Sequence, residues 1–304
     1  MQIFDQAQTA HALPYSKLVT AVARAAQELA TGTITAPERQ VVTIDPASVL
    51  LSMPAIGGDI SVTKLITVHA NNARHSLPAI QGEVVAFDTA TGRRLALLDG
   101  PTVTARRTAA MTLLGIDTLA PKKPSSVLII GTGTQAAAHA DALVEYFGIS
   151  QFWIAGLTQA DAEAFACGLT QRHGNVQVQG LAAESLQHEV PAADVIVSLT
   201  TSTVPVIPSK IDPQTLAVGV GAFKPNMAEF PSELLHARQI IVDDLAGAKH
   251  EAGDLIQAKV NWESVVELAD ILSGKKSLAS AIPVFKTVGQ AAWDLAAARV
   301  AIGA

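Results

Sequence analysis

The chain of 304 residues carries 21 Lys and Arg against 27 Asp and Glu, a formal charge of −6, with 49% hydrophobic residues and one cysteine. An acidic balance of this kind leaves no electrostatic footprint for nucleic acid or an anionic membrane surface. Cys167 has no partner for an internal disulfide and no ligand-spaced neighbour, which excludes a disulfide scaffold and a zinc site and fits a reducing, cytoplasmic setting.

Two domains are expected at this length. The start, Met1-Gln2-Ile3-Phe4-Asp5, lacks the basic and long apolar regions of a signal peptide. No run of about 18 apolar residues is present, so no membrane span is expected. The first part, residues 1–112, reads as a strand-rich α+β domain. A short strand and a helix over Lys17 to Ala30 come first. Strands follow over Gln40 to Ile44, Val49 to Met53, Val62 to Val68, Gly82 to Asp88 and Arg94 to Leu98, separated by turn signals such as Gly57-Gly58 and Thr91-Gly92-Arg93. A helix is expected over Thr104 to Leu114, capped by Thr102 or Thr104, and Pro121-Lys122-Lys123-Pro124 marks a linker.

Residues 122–287 then alternate strand and helix, with strands at Val127 to Ile130, Phe152 to Ala155, Val176 to Val178, Val195 to Leu199, Leu216 to Val220 and Ile240 to Val242. Such alternation predicts an α/β fold with a doubly wound, Rossmann-type parallel sheet. Cys167 is read as packing on a helix face here. The last helix, within residues 288–304, is apolar or small all round and is expected to return to the first domain.

At the first of these strands the apolar run Val127-Leu128-Ile129-Ile130 enters Gly131-Thr132-Gly133-Thr134-Gln135-Ala136. The first glycine permits a tight turn, the second lets backbone N–H groups approach a pyrophosphate, and the small Ala136 lets helix and strand pack closely. The phosphates then lie at a helix N-terminus, where free donors and the helix dipole favour negative charge. A helix pattern over Ala136 to Phe147, closed by Gly148, supplies the context that a bare glycine motif lacks. In NAD-binding sheets an acid ends the second strand and holds the ribose 2′-OH. Here that strand ends Ala155-Gly156-Leu157-Thr158, without an acid, which favours NADPH and leaves NADH possible. No arginine stands there for a 2′-phosphate, so Thr158 and backbone donors would serve it.

Three cationic positions in the first part stand out. Period-2 alternation puts Lys64 on the same strand face as Val62, Ile66 and Val68, where a lysine needs an anionic partner or must reach water as an edge-strand residue. Arg39 lies at a strand entrance. Arg106 and Arg107 are helix neighbours about 100° apart, so at most one points into a cleft.

The whole chain resembles the ornithine cyclodeaminase and mu-crystallin family. The resemblance rests on Lys64-Leu65-Ile66-Thr67-Val68 with Asn71-Asn72, Phe87-Asp88-Thr89-Ala90-Thr91-Gly92, Leu97-Leu98-Asp99-Gly100 and Thr104-Ala105-Arg106-Arg107-Thr108-Ala109-Ala110. The glycine turn, Val242-Asp243-Asp244, Gly253-Asp254 and Phe285-Lys286-Thr287-Val288-Gly289 continue it. The resemblance implies that Arg39, Lys64 and Arg107 bind a substrate carboxylate, with Arg107 rather than Arg106 selected. It also implies a homodimer formed through the first domain. Thr134 and Gln135 are matched to phosphate contacts, Thr200 or Thr201 to the adenosine side, and Thr287 and Val288 to the nicotinamide or substrate. Val220 and Phe223, at the end of one strand and just after it, complete the expected cofactor contacts.

One departure redirects the expected reaction. Cyclodeaminases of the family carry a proton-transferring aspartate in a stretch Asp-x-x-Gly-Lys-x-Glu, and here Phe223 takes its place in Phe223-Lys224-Pro225-Asn226-Met227-Ala228-Glu229. A phenyl ring accepts no proton, unless Phe223 is only a core residue of a shifted loop. The Pro-x-Met-Ala-Glu run is similar to that of the family's bacterial ketimine reductases. The expected reaction is reduction of a cyclic imino acid, Δ1-pyrroline-2-carboxylate or Δ1-piperideine-2-carboxylate, by a nicotinamide cofactor, with Lys64 the candidate proton donor and solvent the alternative. Within the same family, ornithine cyclodeaminase or alanine dehydrogenase activity and non-catalytic binding of NADPH and a ligand are the other readings.

Overall fold

The computed structural model describes residues 1–69 and 71–304. The chain forms two compact units, one of Met1–Ala110 with Gln290–Ala304 and one of Met111–Gly289. The first begins with β1 (Gln2–Phe4), α1 (Gln6–Ala12) and α2 (Tyr15–Ala30). It continues through β2 (Gln40–Asp45), β3 (Ser48–Ile56), β4 (Ile60–His69), β5 (Ile80–Asp88) and β6 (Arg94–Asp99). α3 (Gly100–Leu119) then carries the chain into the second unit.

Local chemistry sets these boundaries. Asp5 and Gln8 cap α1 reciprocally, each side chain accepting the other's backbone N–H. α3 starts earlier than the expected Thr102 or Thr104 cap, because Asp99 Oδ1 accepts from Thr102 N at 2.8 Å and takes the capping role. The six strands lie in the order β1-β6-β5-β4-β3-β2, antiparallel except for β1 beside β6. On β4 the alternation predicted from sequence holds: Val62, Lys64 and Ile66 are buried, and Leu65 between them is exposed. β4 is an interior strand, so the edge-strand reading of Lys64 is wrong.

The second unit runs β7 (Ser126–Ile130), α4 (Thr134–Phe147), β8 (Gln151–Gly156), α5 (Gln159–Arg172), β9 (Gln177–Ala182), β10 (Val195–Ser198) and β11 (Leu216–Gly219). Then come α6 (Ser232–Ala237), β12 (Ile240–Val242), α7 (Leu245–Glu251), α8 (Gly253–Gln257), β13 (Val266–Glu267), α9 (Leu268–Leu272) and β14 (Val284–Lys286). All pairs in this eight-stranded sheet are parallel, in the order β13-β12-β14-β11-β10-β7-β8-β9. The fold is therefore α/β and doubly wound. The chain moves outward from β7 to β9 and returns to β10 on the other side of β7, so the ends of β7 and β10 form the topological switch point where such sheets bind ligands. β13 and β14 lie outside the strands expected from sequence. Cys167, expected to pack on a helix face, is exposed on α5.

The chain ends in α10 (Ala291–Ile302). This helix belongs to the first unit and packs against β3, β4, β5 and β6 on one side and α2 on another. Enclosure by sheet and helix explains its composition, since every residue from Ala291 to Arg299 is buried.

Candidate functional site

Three charged side chains meet inside the first unit, with a fourth, Arg39, close enough to act on them by its charge. Lys64 sits in the middle of β4, opposite Met53 of β3 and Val84 of β5, and is 1% exposed. The acid it requires comes from α10: Asp294, 0% exposed, places Oδ2 at 2.9 Å and Oδ1 at 3.1 Å from Lys64 Nζ. Arg107 Nε of α3 donates to the same carboxylate at 3.2 Å. Arg39, half-buried before β2, acts on Lys64 as a repelling charge together with Arg107. Lys64 and Arg107 outnumber the one carboxylate they share, and Arg39 adds a like charge, an arrangement suited to an anion. Thr104 Oγ1, one helical turn before Arg107, is buried without a hydrogen-bond partner.

The charges set the state of Lys64. Burial pushes its ammonium down to about 8; the Asp294 charge opposes that shift, and Arg107 and Arg39 add to it. Lys64 is the one cation of this set able to release a proton, because guanidinium groups do not. Arg106 serves the fold: its Nε donates to Leu13 O at 2.8 Å and its guanidinium lies 4.0 Å from the Tyr15 ring centre.

In the second unit the glycine turn follows β7. Gly131 has φ +116, and a Cβ there would stand 2.7 Å from Leu199 O, so only glycine fits. Gly133 caps α4 with no side-chain hydrogen bond and open space around its Cα, while Ala136 is fully buried in the packing behind the turn. No side-chain cap takes up the donors of the first helical turn, from Thr134 onward. Gln135 Oε1 is buried without a hydrogen-bond partner. The glycine turn and the N-terminus of α4 fit a dinucleotide pyrophosphate.

The neighbouring loops are fixed by Glu229, which sequence reasoning quoted only as part of a motif. Fully buried, it accepts from Ser198 Oγ at 2.6 Å, Thr200 N at 2.7 Å, Thr200 Oγ1 at 3.1 Å, Gly221 N at 2.6 Å and Ala222 N at 3.1 Å. It ties the segments leaving β10 and β11 to one point. Burial raises its proton affinity, opposed by Lys286 and by these hydrogen bonds. Thr200 is thereby committed to Glu229, whereas Thr201 is exposed. Val220 is buried, its N–H donating to Ser198 O. Phe223 is 39% exposed, which rules out the core-residue alternative.

Thr287 and Val288 follow β14, which lies between β11 and β12. Asp243 holds them: it accepts from Thr287 Oγ1 at 2.6 Å, Val288 N at 3.0 Å and Gly289 N at 3.0 Å. At the end of β8, a Cβ on Gly156 would lie 2.8 Å from Ala162 N, so this backbone accepts no side chain there. Thr158, expected to serve a 2′-phosphate, donates its hydroxyl to Asp161 Oδ2 at 2.7 Å in the cap of α5. Asp161 thus supplies an acid at this turn, three residues beyond Thr158 and outside the strand end.

The family profile described as "Ornithine cyclodeaminase/mu-crystallin family" matches residues 2–302. A Delta(1)-pyrroline-2-carboxylate reductase 1 of Burkholderia multivorans is 44% identical over 299 residues, covering 98% of this chain and 94% of the relative. A Delta(1)-pyrroline-2-carboxylate/Delta(1)-piperideine-2-carboxylate reductase of Azospirillum brasilense is likewise 44% identical, with the same coverage. The solved Delta(1)-pyrroline-2-carboxylate reductase of Thermococcus litoralis, in complex with NADH and L-proline, superposes with a TM-score of 0.89 at 25% identity, covering 100% of this chain and 97% of that one.

Proposed function

Since this chain belongs to the ornithine cyclodeaminase/mu-crystallin family, we propose that it is a ketimine reductase. It reduces the C=N bond of Δ1-pyrroline-2-carboxylate to L-proline and of Δ1-piperideine-2-carboxylate to L-pipecolate. The observation that carries this reading is the buried pairing of Lys64 and Arg107 with Asp294, with the half-buried Arg39 adding a like charge, a set that has the charge to hold a carboxylate. The 44% identity to two enzymes named for these substrates supports it.

A nicotinamide dinucleotide, when bound at the Gly131 to Ala136 turn, supplies the hydride for the imine carbon. The protein's own task is positioning. Arg107, Arg39 and Lys64 fix the carboxylate next to the imine, and a protonated imine beside a carboxylate needs little further activation. Lys64, an ammonium below about 8, is the group of the cluster that can pass its proton to the imine nitrogen, leaving a neutral amine to be reprotonated from solvent. Thr134 and Gln135 meet the phosphates, Thr201 and the loop pinned by Glu229 line the adenosine side, and Thr287, Val288, Val220 and Phe223 face the nicotinamide end. With Phe223 in place of an aspartate, deamination and ring closure of ornithine lack their proton acceptor.

The dinucleotide is NADPH on the ground that no acid ends β8 at Gly156. A specific observation favours NADH as the second reading: the Asp161 carboxylate occupies the Thr158 hydroxyl at this turn. The enzyme works as a homodimer, a role suited to edge strand β2, whose Val41, Val42 and Ile44 are each about half exposed. The exposed thiol of Cys167 suits a reducing cytoplasm. Oxidation of NADPH and NADH is followed with each cyclic imine, with pyruvate plus ammonia, and in reverse with ornithine and NAD. Turnover of ornithine or pyruvate without turnover of either cyclic imine overturns the proposal.

A further inference from the structure

We propose that Asp294 is a positioning residue for the reaction, fixing both the aim and the charge of Lys64 through its shared contact with Lys64 and Arg107; this rests on the ketimine reductase reading above. The resemblance that singled out the three cations assigned nothing to Asp294. Its placement is the first argument. α10 runs between the sheet and α2, every residue from Ala291 to Arg299 is buried, and Asp294 is the sole acid in that run. The other charged residue there, Arg299, is matched separately by Asp59 at 2.7 and 2.8 Å and by Glu28. Asp294 is thus the acid that faces Lys64, while Arg107 of α3 and Arg39 ahead of β2 face it with like charge, and its strand neighbours Met53 and Val84 are apolar.

The second argument is chemical. A lysine buried among cations and apolar side chains sheds its proton rather than remain charged, whereas the two arginines cannot. Removing the acid would therefore not leave three cations: it would neutralise Lys64 and free Arg107 to turn. Asp294 keeps the ammonium available to a carboxylate or an imine nitrogen, and its second cation contact, at 3.2 Å, holds Arg107 in register with it.

The test follows Lys64 directly, by the pH dependence of its ¹³Cε resonance in the full chain, assigned with Lys64→Met. Asp294→Asn is expected to lower the Lys64 midpoint by about one unit or more, and Arg107→Met, which removes a repelling cation, to raise it. A residue that merely packs the core would, when replaced, admit water and move both midpoints up toward the ordinary lysine value. An unchanged or raised midpoint in Asp294→Asn overturns the proposal. Asp294→Ser replaces it where the Asn variant does not fold, and a lowered midpoint in Arg107→Met overturns the charge account without either. In turnover, the alkaline limb of kcat/KM should move to lower pH in Asp294→Asn, and KM at neutral pH should rise about tenfold or more. A wild-type chain inactive on both cyclic imines would end the ketimine reductase reading and leave the resonance to decide the role of Asp294.

Discussion

Asp294 Oδ2 lies 2.9 Å from Lys64 Nζ, with both side chains closed to solvent and 230 positions apart in the sequence. A buried pair of this kind is costly to break, because the partner left behind is an uncompensated charge. It also links the C-terminal helix to the strand that carries the candidate proton donor, and it sets the pH behaviour of the site.

Activity and stability should respond to pH in opposite directions. kcat/KM for a cyclic imine is expected to fall as pH rises through about 8, where the Lys64 ammonium is lost. Lys64 holds its proton less tightly in the fold than at its ordinary 10.5, so between about 8 and 10.5 the unfolded chain binds more protons. The stability that this group contributes must therefore rise with pH across that window, by up to about 3 kcal/mol. Unfolding free energies of the wild type and Lys64→Met, compared from neutral to alkaline pH, check this. A difference that stays flat contradicts it.

The adjacent arginines should separate cleanly. Arg107→Ala is expected to raise KM about 30-fold or more, the loss of a charge-assisted pair worth about 2 kcal/mol or more. Arg106→Ala should leave KM unchanged and lower Tm, since it removes the bond to Leu13 O and the contact with the Tyr15 ring. Steady-state kinetics and thermal unfolding on both variants decide, and equal KM values for the two would remove Arg107 from the site.

Much of this architecture is legible in the sequence, for local reasons. The Gly131 turn shows because its geometry is encoded within six residues, and Lys64 shows because strand alternation puts a charge among Val62 and Ile66. The rest depends on contacts distant in sequence. β14 is three residues long and enters the sheet between β11 and β12, an insertion that no local pattern announces. Asp294 does carry a sequence signal: one acid inside an apolar helix must find a cation, as Lys64 on an apolar strand face must find an acid. The Thr158 hydroxyl is visible in the sequence, but its bond to Asp161 depends on how α5 begins.

Glu229→Gln should weaken dinucleotide binding and lower stability together. The glutamine amide would confront at least one of the five donors that the carboxylate now satisfies, a cost of about 2 to 4 kcal/mol at a buried site. Fluorescence titration with NADH and NADPH, alongside thermal unfolding, measures both. Unaltered cofactor affinity would mean that the loops after β10 and β11 keep their places without it.

Cofactor choice should be adjustable at the turn after β8. Leu157 is 89% exposed there, and its chain neighbours Gly156 and Thr158 carry no charge. Leu157→Arg is expected to raise the ratio of kcat/KM for NADPH over NADH about tenfold, by pairing a guanidinium with the 2′-phosphate. A ratio that does not move would place the ribose elsewhere.

The central claim is that the Lys64, Arg107 and Arg39 cluster holds a cyclic imino acid for hydride reduction. Its most direct test is the amount of proline formed per reduced dinucleotide consumed when purified wild-type protein meets Δ1-pyrroline-2-carboxylate. The account predicts one proline for each dinucleotide oxidised, with turnover at the same substrate concentration largely lost in Arg107→Ala. Dinucleotide oxidation without proline, or equal proline formation by the two proteins, would contradict it.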